Sequence, residues 1–145
     1  MNIIMRDFRH SLPMLLLRAR EASMARFRPL LADNGLTEQQ WRVLRALADR
    51  NGMEAKELAL QTMMLRPSMT GVIDRLARDG LVERRSDRTD GRKVCIWMTR
   101  KARRLYERIA PKVEREYARI QAQFTQQDWE GMYTALEHLE RLNKN

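Results

Sequence analysis

The residues of this 145-residue chain best able to do chemistry are arginines and lysines concentrated in one stretch. Residues 66–104 hold 12 Lys and Arg against 5 Asp and Glu, and the whole chain has a net charge of +9. Clustered guanidinium and ammonium groups neutralise phosphate, so this local excess is typical of a surface that binds a nucleic-acid backbone. The alternative is a solvated charged face of the kind that many small domains carry. The stretch therefore predicts anion recognition, provided that its elements present the charges together.

The sequence contains no recognisable catalytic motif. His10 and His138 lie near opposite ends, and no phosphate-binding loop, Cys-x-x-Cys pair or nucleophile elbow occurs. We therefore expect neither an enzyme nor a metal or other cofactor. The single Cys95 excludes an intrachain disulfide and fits a reducing compartment. Because Arg92 and Lys93 are near in sequence, a lowered thiol pKa and a redox role form a minor hypothesis.

The pattern from residue 66 to Asp79 predicts a helix that reads DNA. Pro67 suits the first turn of a helix, and Gly80 suits the left-handed residue that ends one. Met69, Val72, Ile73 and Leu76 have the spacing of a buried stripe. The opposite face is polar, and recognition helices place such residues against base edges in the major groove. The predicted DNA contacts on this helix are Arg66, Pro67, Ser68, Thr70, Gly71, Asp74, Arg75 and Arg78.

A basic hairpin is predicted directly after this helix. Residues 81–85 and 93–98 read as two short strands, and Asp90-Gly91 is a turn signal between them. Arg88, Asp90, Arg92 and Lys93 then lie at or near the hairpin tip. Arginine at such a tip can enter the narrow minor groove of A·T-rich DNA. The hairpin therefore predicts the wing of a winged helix-turn-helix.

The rest of the chain predicts flanking helices. We expect an arm and a dimerisation helix over residues 1–35, the winged helix-turn-helix over 36–99, and C-terminal dimerisation helices over 100–145. Ser11 is predicted to cap the first helix, Pro29 to kink or split it, and Thr37 with Gln40 to form a capping box. The predicted fold class is thus mainly α with a small β-hairpin wing.

The long helix predicted from Thr99 to Phe124 spans roughly 39 Å, and its apolar stripe needs a cover. A second copy of the chain is the expected cover, and a monomeric helical hairpin packed on the core is the alternative. A homodimer would read a near-palindromic double-stranded site with half-sites one turn apart. No apolar run has the length of a transmembrane helix, so we expect no membrane partner and a cytoplasmic protein.

The arrangement resembles the MarR family of bacterial transcriptional regulators over nearly the whole chain. Asp90-Gly91-Arg92-Lys93 matches the family's Asp-x-Arg wing signature, and residues 36–42, 65–68 and 78–82 resemble a subgroup of repressors of homoprotocatechuate degradation. The resemblance implies that Asp90 orients the wing arginines and that Arg92 reaches the minor groove. It further implies a repressor of an aromatic-acid catabolic operon. The alternatives are a regulator of virulence or efflux genes without an effector, and a non-specific architectural DNA-binding protein.

Members of this family often bind small aromatic acids between the helical platform and the winged lobe. The resemblance therefore implies an aromatic carboxylate effector here. An arginine can pair with its carboxylate and Trp41 can stack on its ring. The alternative interpretations are that Trp41 belongs to the core and that Arg20 and Arg42 form inter-helix ion pairs with neighbours such as Glu21. The candidate ligand contacts are His10, Ser11, Arg18, Arg20, Trp41, Arg45 and Met64.

Overall fold

The architecture is described for residues 3–144 of a computed structural model. Six helices and three short strands follow one another, with single 3-10 turns at Phe8–His10 and Leu142–Lys144. The predicted fold class, mainly α with a small β wing, is confirmed. The elements are α1 (Leu12–Asp33), α2 (Glu38–Asp49), β1 (Met53–Glu54), α3 (Ala55–Thr62), α4 (Arg66–Arg78), β2 (Val82–Ser86), β3 (Val94–Met98), α5 (Arg100–Gln121) and α6 (Gln126–Arg141).

The helix-turn-helix begins with the predicted capping box. The Thr37 hydroxyl accepts the Gln40 N–H at 3.1 Å, and the Gln40 side chain accepts the Thr37 N–H at 2.9 Å. Both donors would otherwise lack a partner at the start of α2. The turn between α3 and α4 contains Met63 in the left-handed region at φ 56°. The Met64 N–H closes it on the Ala59 carbonyl at 3.0 Å, which fixes where α4 starts.

The wing strands belong to a three-stranded antiparallel sheet of order β1-β3-β2. The prediction missed β1, because a two-residue strand exists only through its pairing with β3. Asn51 connects the segment after α2 to the end of β3, since its side-chain oxygen accepts the Met98 N–H at 2.9 Å. Gly52 has φ +77°, and a Cβ there would overlap the Trp97 ring. Glycine is therefore required at this position for two reasons.

One core holds these elements together. The stripe predicted on α4 is buried in full, and α4 packs against α2, α3 and β2. Burial of this kind is the main stabilising term of a small domain. The side chains with almost no exposure are Leu31, Val43, Leu44, Leu47, Leu58, Met69, Val72, Ile73, Leu76, Ile96, Ala102 and Ile109.

Three local predictions about the helices differ from the structure in detail. Ser11 is the N-cap of α1, but its hydroxyl donates to the Phe8 carbonyl instead of accepting from the helix. The helix does not split at Pro29, because Phe27 and Leu31 on either side are buried and this packing offsets the lost hydrogen bond. The long helix α5 ends at Gln121, a turn earlier than the predicted Phe124.

The chain divides into two compact units, Met1–Ala110 and Pro111–Asn145. In the second unit Trp129 has ring neighbours on both sides, with centroid distances of 5.8 Å to Phe124 and 5.2 Å to Tyr133. Even so, α6 contains no buried residue. Among the described residues, no helix is long and apolar enough to cross a membrane.

Candidate nucleic-acid interface

The N-terminal half of α4 presents short polar side chains to solvent. Arg66, Pro67, Ser68 and Thr70 are all exposed, whereas Met69 between them is buried. The Thr70 hydroxyl donates to the Arg66 carbonyl at 3.2 Å and keeps its acceptor lone pairs outward. The buried stripe thus fixes the rotation of α4 about its axis, and this rotation turns the predicted reading face outward.

Two charged residues of this face have intramolecular neighbours that the sequence did not reveal. Asp74 accepts a hydrogen bond from Arg84 of β2, so an ion pair links α4 to the wing. The guanidinium of Arg75 lies over Gly71, with its nitrogens 3.6 and 3.9 Å from where a Cβ would stand. Arg84 is therefore a functional candidate that sequence reasoning missed, because ten residues and a turn separate it from its partner.

The wing tip is closed by its own backbone. The Asp87 N–H donates to the Lys93 carbonyl at 2.9 Å, and the Lys93 N–H donates to the Asp90 carbonyl at 3.0 Å. The Asp90 carboxylate accepts the backbone N–H of Arg92 at 3.1 Å. In this structure Asp90 therefore orients Arg92 through the main chain. Hydrogen bonds from the N–H and hydroxyl of Thr89 hold the pKa of the Asp87 carboxyl below its usual range.

This closed tip leaves its arginine side chains available. Arg88, Arg92 and Lys93 are exposed, and across residues 3–144 none of them has an ion-pair partner. Lower in the wing the situation differs, because Arg85 pairs with Glu83 at 2.8 Å and lies 5.4 Å from the centre of the Trp97 ring. Arginines at the base of the wing are thus engaged in the fold, and those at the tip can meet an external anion.

Cys95 does not have the environment of a reactive thiol. Burial, followed by the negative charges of Asp87 and Glu54, raises the pKa of its thiol, and the opposing charge of Lys93 is the smallest contribution. The hypothesis of a lowered pKa is therefore wrong. The charge of Lys93 does lower the pKa of the Cys95 thiol, but burial and the carboxylates of Asp87 and Glu54 outweigh it.

Two of the seven candidate ligand contacts come together in the structure. The Trp41 and Tyr106 rings stack with centroids 5.3 Å apart and an interplanar angle of 21°, and Arg45 donates to the Tyr106 hydroxyl at 2.6 Å. Trp41 is buried, as the alternative interpretation held. Sequence reasoning did not single out Tyr106, although its hydroxyl was a sign that one end of the ring meets a polar group.

Arg20 belongs to an inter-helix ion-pair cluster, as its alternative interpretation held. This cluster consists of Arg20, Glu21, Arg28, Glu38 and Arg42. Arg28 lies 2.9 Å from Glu21 and 3.3 Å from Glu38, and Arg42 lies 2.8 Å from Glu38, which also accepts from Arg20. The hydrogen bond from Arg28, together with its charge, holds the pKa of the Glu21 carboxyl below its usual value. The cluster joins α1 to α2.

The remaining candidates make local contacts. His10 bonds to the carboxylate of Asp7 at 2.8 Å, and Arg18 donates to the Arg9 carbonyl. Met64 is half-buried in the turn before α4. None of these contacts brings His10, Ser11 or Arg18 to the Trp41 ring. Within residues 3–144 no group of His, Cys, Asp and Glu side chains could hold a metal ion.

The helices α2, α3 and α4 followed by the β2–β3 hairpin define a winged helix-turn-helix protein. The model of the MarR family matches residues 34–93. The homoprotocatechuate degradative operon repressor of Escherichia coli is 43% identical over 127 residues, which cover 88% of this chain and 86% of that relative. The chain belongs to the MarR family of transcriptional regulators, and it is accordingly a regulator and not an enzyme.

Solved structures agree with this assignment. The crystal structure of transcriptional regulator PA4135 has 44% sequence identity and a TM-score of 0.84, with 90% of this chain and 96% of that chain covered. The structure of NadR in complex with 4-hydroxyphenylacetate has 34% identity and a TM-score of 0.79, with coverage of 94% and 97%. Both matches extend well beyond the winged region.

Proposed function

We propose that this protein is a homodimeric, sequence-specific repressor that binds a near-palindromic DNA operator. The observation that carries the proposal is the pairing of a rigidly held, outward-facing α4 with a wing tip whose Arg88 and Arg92 are exposed and unpaired within the described residues. The first surface fits the major groove, and the second fits the minor groove beside it. Together they supply both base readout and phosphate neutralisation.

Specific recognition is favoured over architectural binding by the chemistry of α4. Ser68 and Thr70 offer hydroxyls, and Arg75 offers a guanidinium fork of the kind that binds guanine in the major groove. Asp74 is held by Arg84, so its negative charge is compensated where the helix would approach DNA. A surface made for phosphate alone would need only the cations.

A second copy of the chain is the proposed cover for the exposed apolar residues of the terminal helices. Tyr133 and Leu136 on α6 are 46% and 45% exposed, and Leu12 and Leu15 on α1 are 47% and 42% exposed. Such residues form homodimer interfaces, which are more apolar than ordinary surface. A dimer would place two reader helices one turn of DNA apart, about 34 Å.

The proposed effector is a small aromatic carboxylate. The Trp41–Tyr106 stack offers an aromatic surface, and Arg45 at its edge offers a guanidinium to a carboxylate. The relative NadR has been solved with 4-hydroxyphenylacetate, and the relative from Escherichia coli is named for a homoprotocatechuate degradative operon. We therefore propose that this chain represses an aromatic-acid catabolic operon.

Fluorescence anisotropy on the DNA beside its own gene tests the DNA-binding proposal. Scrambled DNA of equal length is the control at the same salt concentration. We expect a preference of about 10³ or more for the natural sequence. Equal affinity for both DNAs would establish the architectural alternative instead.

Titration of the complex with aromatic acids tests the effector proposal. 4-Hydroxyphenylacetate, homoprotocatechuate and hydroxynicotinate are the acids to compare. We expect one of them to release the DNA, and Arg45→Met to raise the concentration needed by about tenfold or more because the guanidinium is lost. Arg103→Met, an equal charge change on exposed α5, is the control. DNA binding without release by any acid would favour a regulator that lacks a small-molecule effector.

A further inference from the structure

A basic pocket lies on the first unit, away from the reading face of α4. Its volume is about 390 Å³, within the range of small-molecule sites. The turn between α1 and α2, the C-terminal end of α4 and one face of α5 form its walls. α4 has 13 residues and therefore rises roughly 18 Å. The pocket thus stands about that distance from the N-terminal residues proposed to read DNA.

The charges of the pocket are unbalanced. Lys101, Arg104 and Arg108 line it on α5, and Asp79 is the one carboxylate among its lining residues. Asp79 already has Arg78 within 3.4 Å. Lys101 donates to the Asp79 carbonyl at 2.7 Å, so part of its hydrogen-bonding capacity is used. Within the described chain, Arg104 and Arg108 have no carboxylate partner.

These unbalanced positive charges destabilise α5. Arg104 and Arg108 are four residues apart, a spacing at which like charges repel along one helix face. The first turn of α5 contains no acidic residue, although cations at a helix N-terminus oppose the helix dipole. An anion held between the guanidinium groups would remove both conflicts. It would also find a partly apolar base, since Leu36, Leu81 and Leu105 are buried beneath the cations.

The pocket is separate from the proposed effector site. At 3.6 residues per turn, Tyr106 lies about 150° around α5 from the centre of the pocket-lining residues. Its ring stacks instead on Trp41 of α2. The two sites therefore use different faces of the same helix, and ligand binding at one is measurable without the other.

We propose that this pocket binds a small organic dianion, such as a phosphate monoester or a dicarboxylate with an apolar body. The two negative charges bind Arg104 and Arg108, because the planar guanidinium forks match phosphate and carboxylate geometry. The apolar body rests on the leucines beneath. Lys101 adds a third cation when it leaves the Asp79 carbonyl.

Isothermal titration calorimetry of the full-length protein tests the proposal. Phenyl phosphate and phthalate are the two dianionic probes, and benzoate is the monoanionic comparison. We expect each dianion to bind at least about tenfold more tightly than benzoate, since each makes a second charge-assisted contact. The better of the two dianions identifies the headgroup chemistry.

The variant Arg104→Gln/Arg108→Gln should weaken dianion binding by about tenfold or more, whereas Arg103→Gln on the opposite face of α5 and Arg45→Gln should change it by less than about twofold. Absence of dianion binding to the wild-type protein would overturn the proposal, as would an equal loss in Arg103→Gln. If only Arg45→Gln lost dianion binding, the anion would be assigned to the Trp41 site instead. If DNA competed with the dianion, Arg104 and Arg108 would be assigned to a contact with DNA phosphate.

A second readout keeps the test decisive if the double variant does not fold. Amide NMR shifts of Gly35 and Leu81 in the wild-type protein should move on addition of phenyl phosphate, because both residues line the pocket. Shifts confined to other parts of the chain would overturn the assignment. Neither readout depends on DNA binding, so the proposed repressor function stands or falls separately.

Discussion

The arginines of the wing tip and those of α1 carry the same charged group in opposite surroundings. Arg88 and Arg92 are exposed and lack a carboxylate partner within residues 3–144. Arg20 and Arg28 instead meet Glu21 and Glu38, with Arg28 lying 2.9 and 3.3 Å from the two carboxylates. Composition alone cannot distinguish the two pairs of residues.

The difference shows how to assign a role to an arginine in a basic protein. A guanidinium whose charge is already neutralised within the fold gains little from an external phosphate and holds helices together. An unpaired guanidinium on a closed, exposed turn keeps its full charge for a partner. By this criterion we assign the wing tip to the proposed DNA contact and the ion-pair cluster between α1 and α2 to the fold.

The largest effect is expected from removal of both wing arginines. Arg88→Ala/Arg92→Ala should weaken operator binding by about 100-fold, which corresponds to about 3 kcal/mol, because two phosphate or minor-groove contacts are lost. Anisotropy at one salt concentration measures the change, and circular dichroism checks the fold. Arg20→Ala/Arg28→Ala is the matched double variant in the cluster. If Arg88→Ala/Arg92→Ala bound the operator as tightly as the wild-type protein, the wing would not be part of the DNA interface.

Arg75 sharpens the comparison, since it lies on α4 and not at the wing tip. Arg75→Ala should reduce the preference for the operator over scrambled DNA by about 1–3 kcal/mol if its guanidinium reads a base. Arg78→Ala, nearer the C-terminal end of α4, should affect both DNAs alike. If Arg75→Ala also lowered both affinities equally, Arg75 would be a phosphate contact.

The cluster should show its effect on folding. Glu38 accepts hydrogen bonds from Arg20, Arg28 and Arg42, and its side chain is only 18% exposed. Glu38→Gln should lower the free energy of unfolding by about 1–2 kcal/mol, because three guanidinium groups lose their anion. Urea unfolding measures it against Glu107→Gln, an exposed position on α5. Equal stability of the two variants would contradict the structural role.

The smallest effect is the pH dependence that Glu21 contributes. Arg28 holds the pKa of the folded Glu21 carboxyl below its ordinary value. A depressed pKa stabilises the fold above the unfolded pKa, and this contribution disappears as the pH falls through the folded pKa. The stability difference between the wild-type protein and Glu21→Gln should therefore shrink from about pH 6 to about pH 3. A difference that grows on acidification would refute this assignment.

Much of the fold could be predicted because its signals are local. Pro67 and Gly80 bracket α4, the Thr37–Gln40 capping box starts α2, and the stripe on α4 has a helical period. No comparable local pattern indicates β1, which depends on register with β3. At Pro29 the predicted split of α1 does not occur, since tertiary burial of Phe27 and Leu31 on either side outweighs the local rule.

The candidate site was predictable where charge and turn chemistry suffice. Arg88 and Arg92 follow from the Asp90-Gly91 turn. The Asp74–Arg84 pair and the contact of Arg45 with Tyr106 did not follow, because each joins separate elements that meet only in the folded chain. Side-chain pairing between separate elements decides which charges are available to an external partner. The pattern of a single sequence does not reveal this pairing.

The salt dependence of operator binding tests the central claim most directly. For B-DNA the plot of log K against log salt has a negative slope, and its magnitude decreases by about 0.9 for each phosphate contact removed. We predict a slope reduced by about 1–2 in Arg88→Ala/Arg92→Ala and an unchanged slope in Arg20→Ala/Arg28→Ala. The same reduction in both double variants, or a reduction in the cluster variant alone, would contradict the assignment of the unpaired wing arginines to DNA.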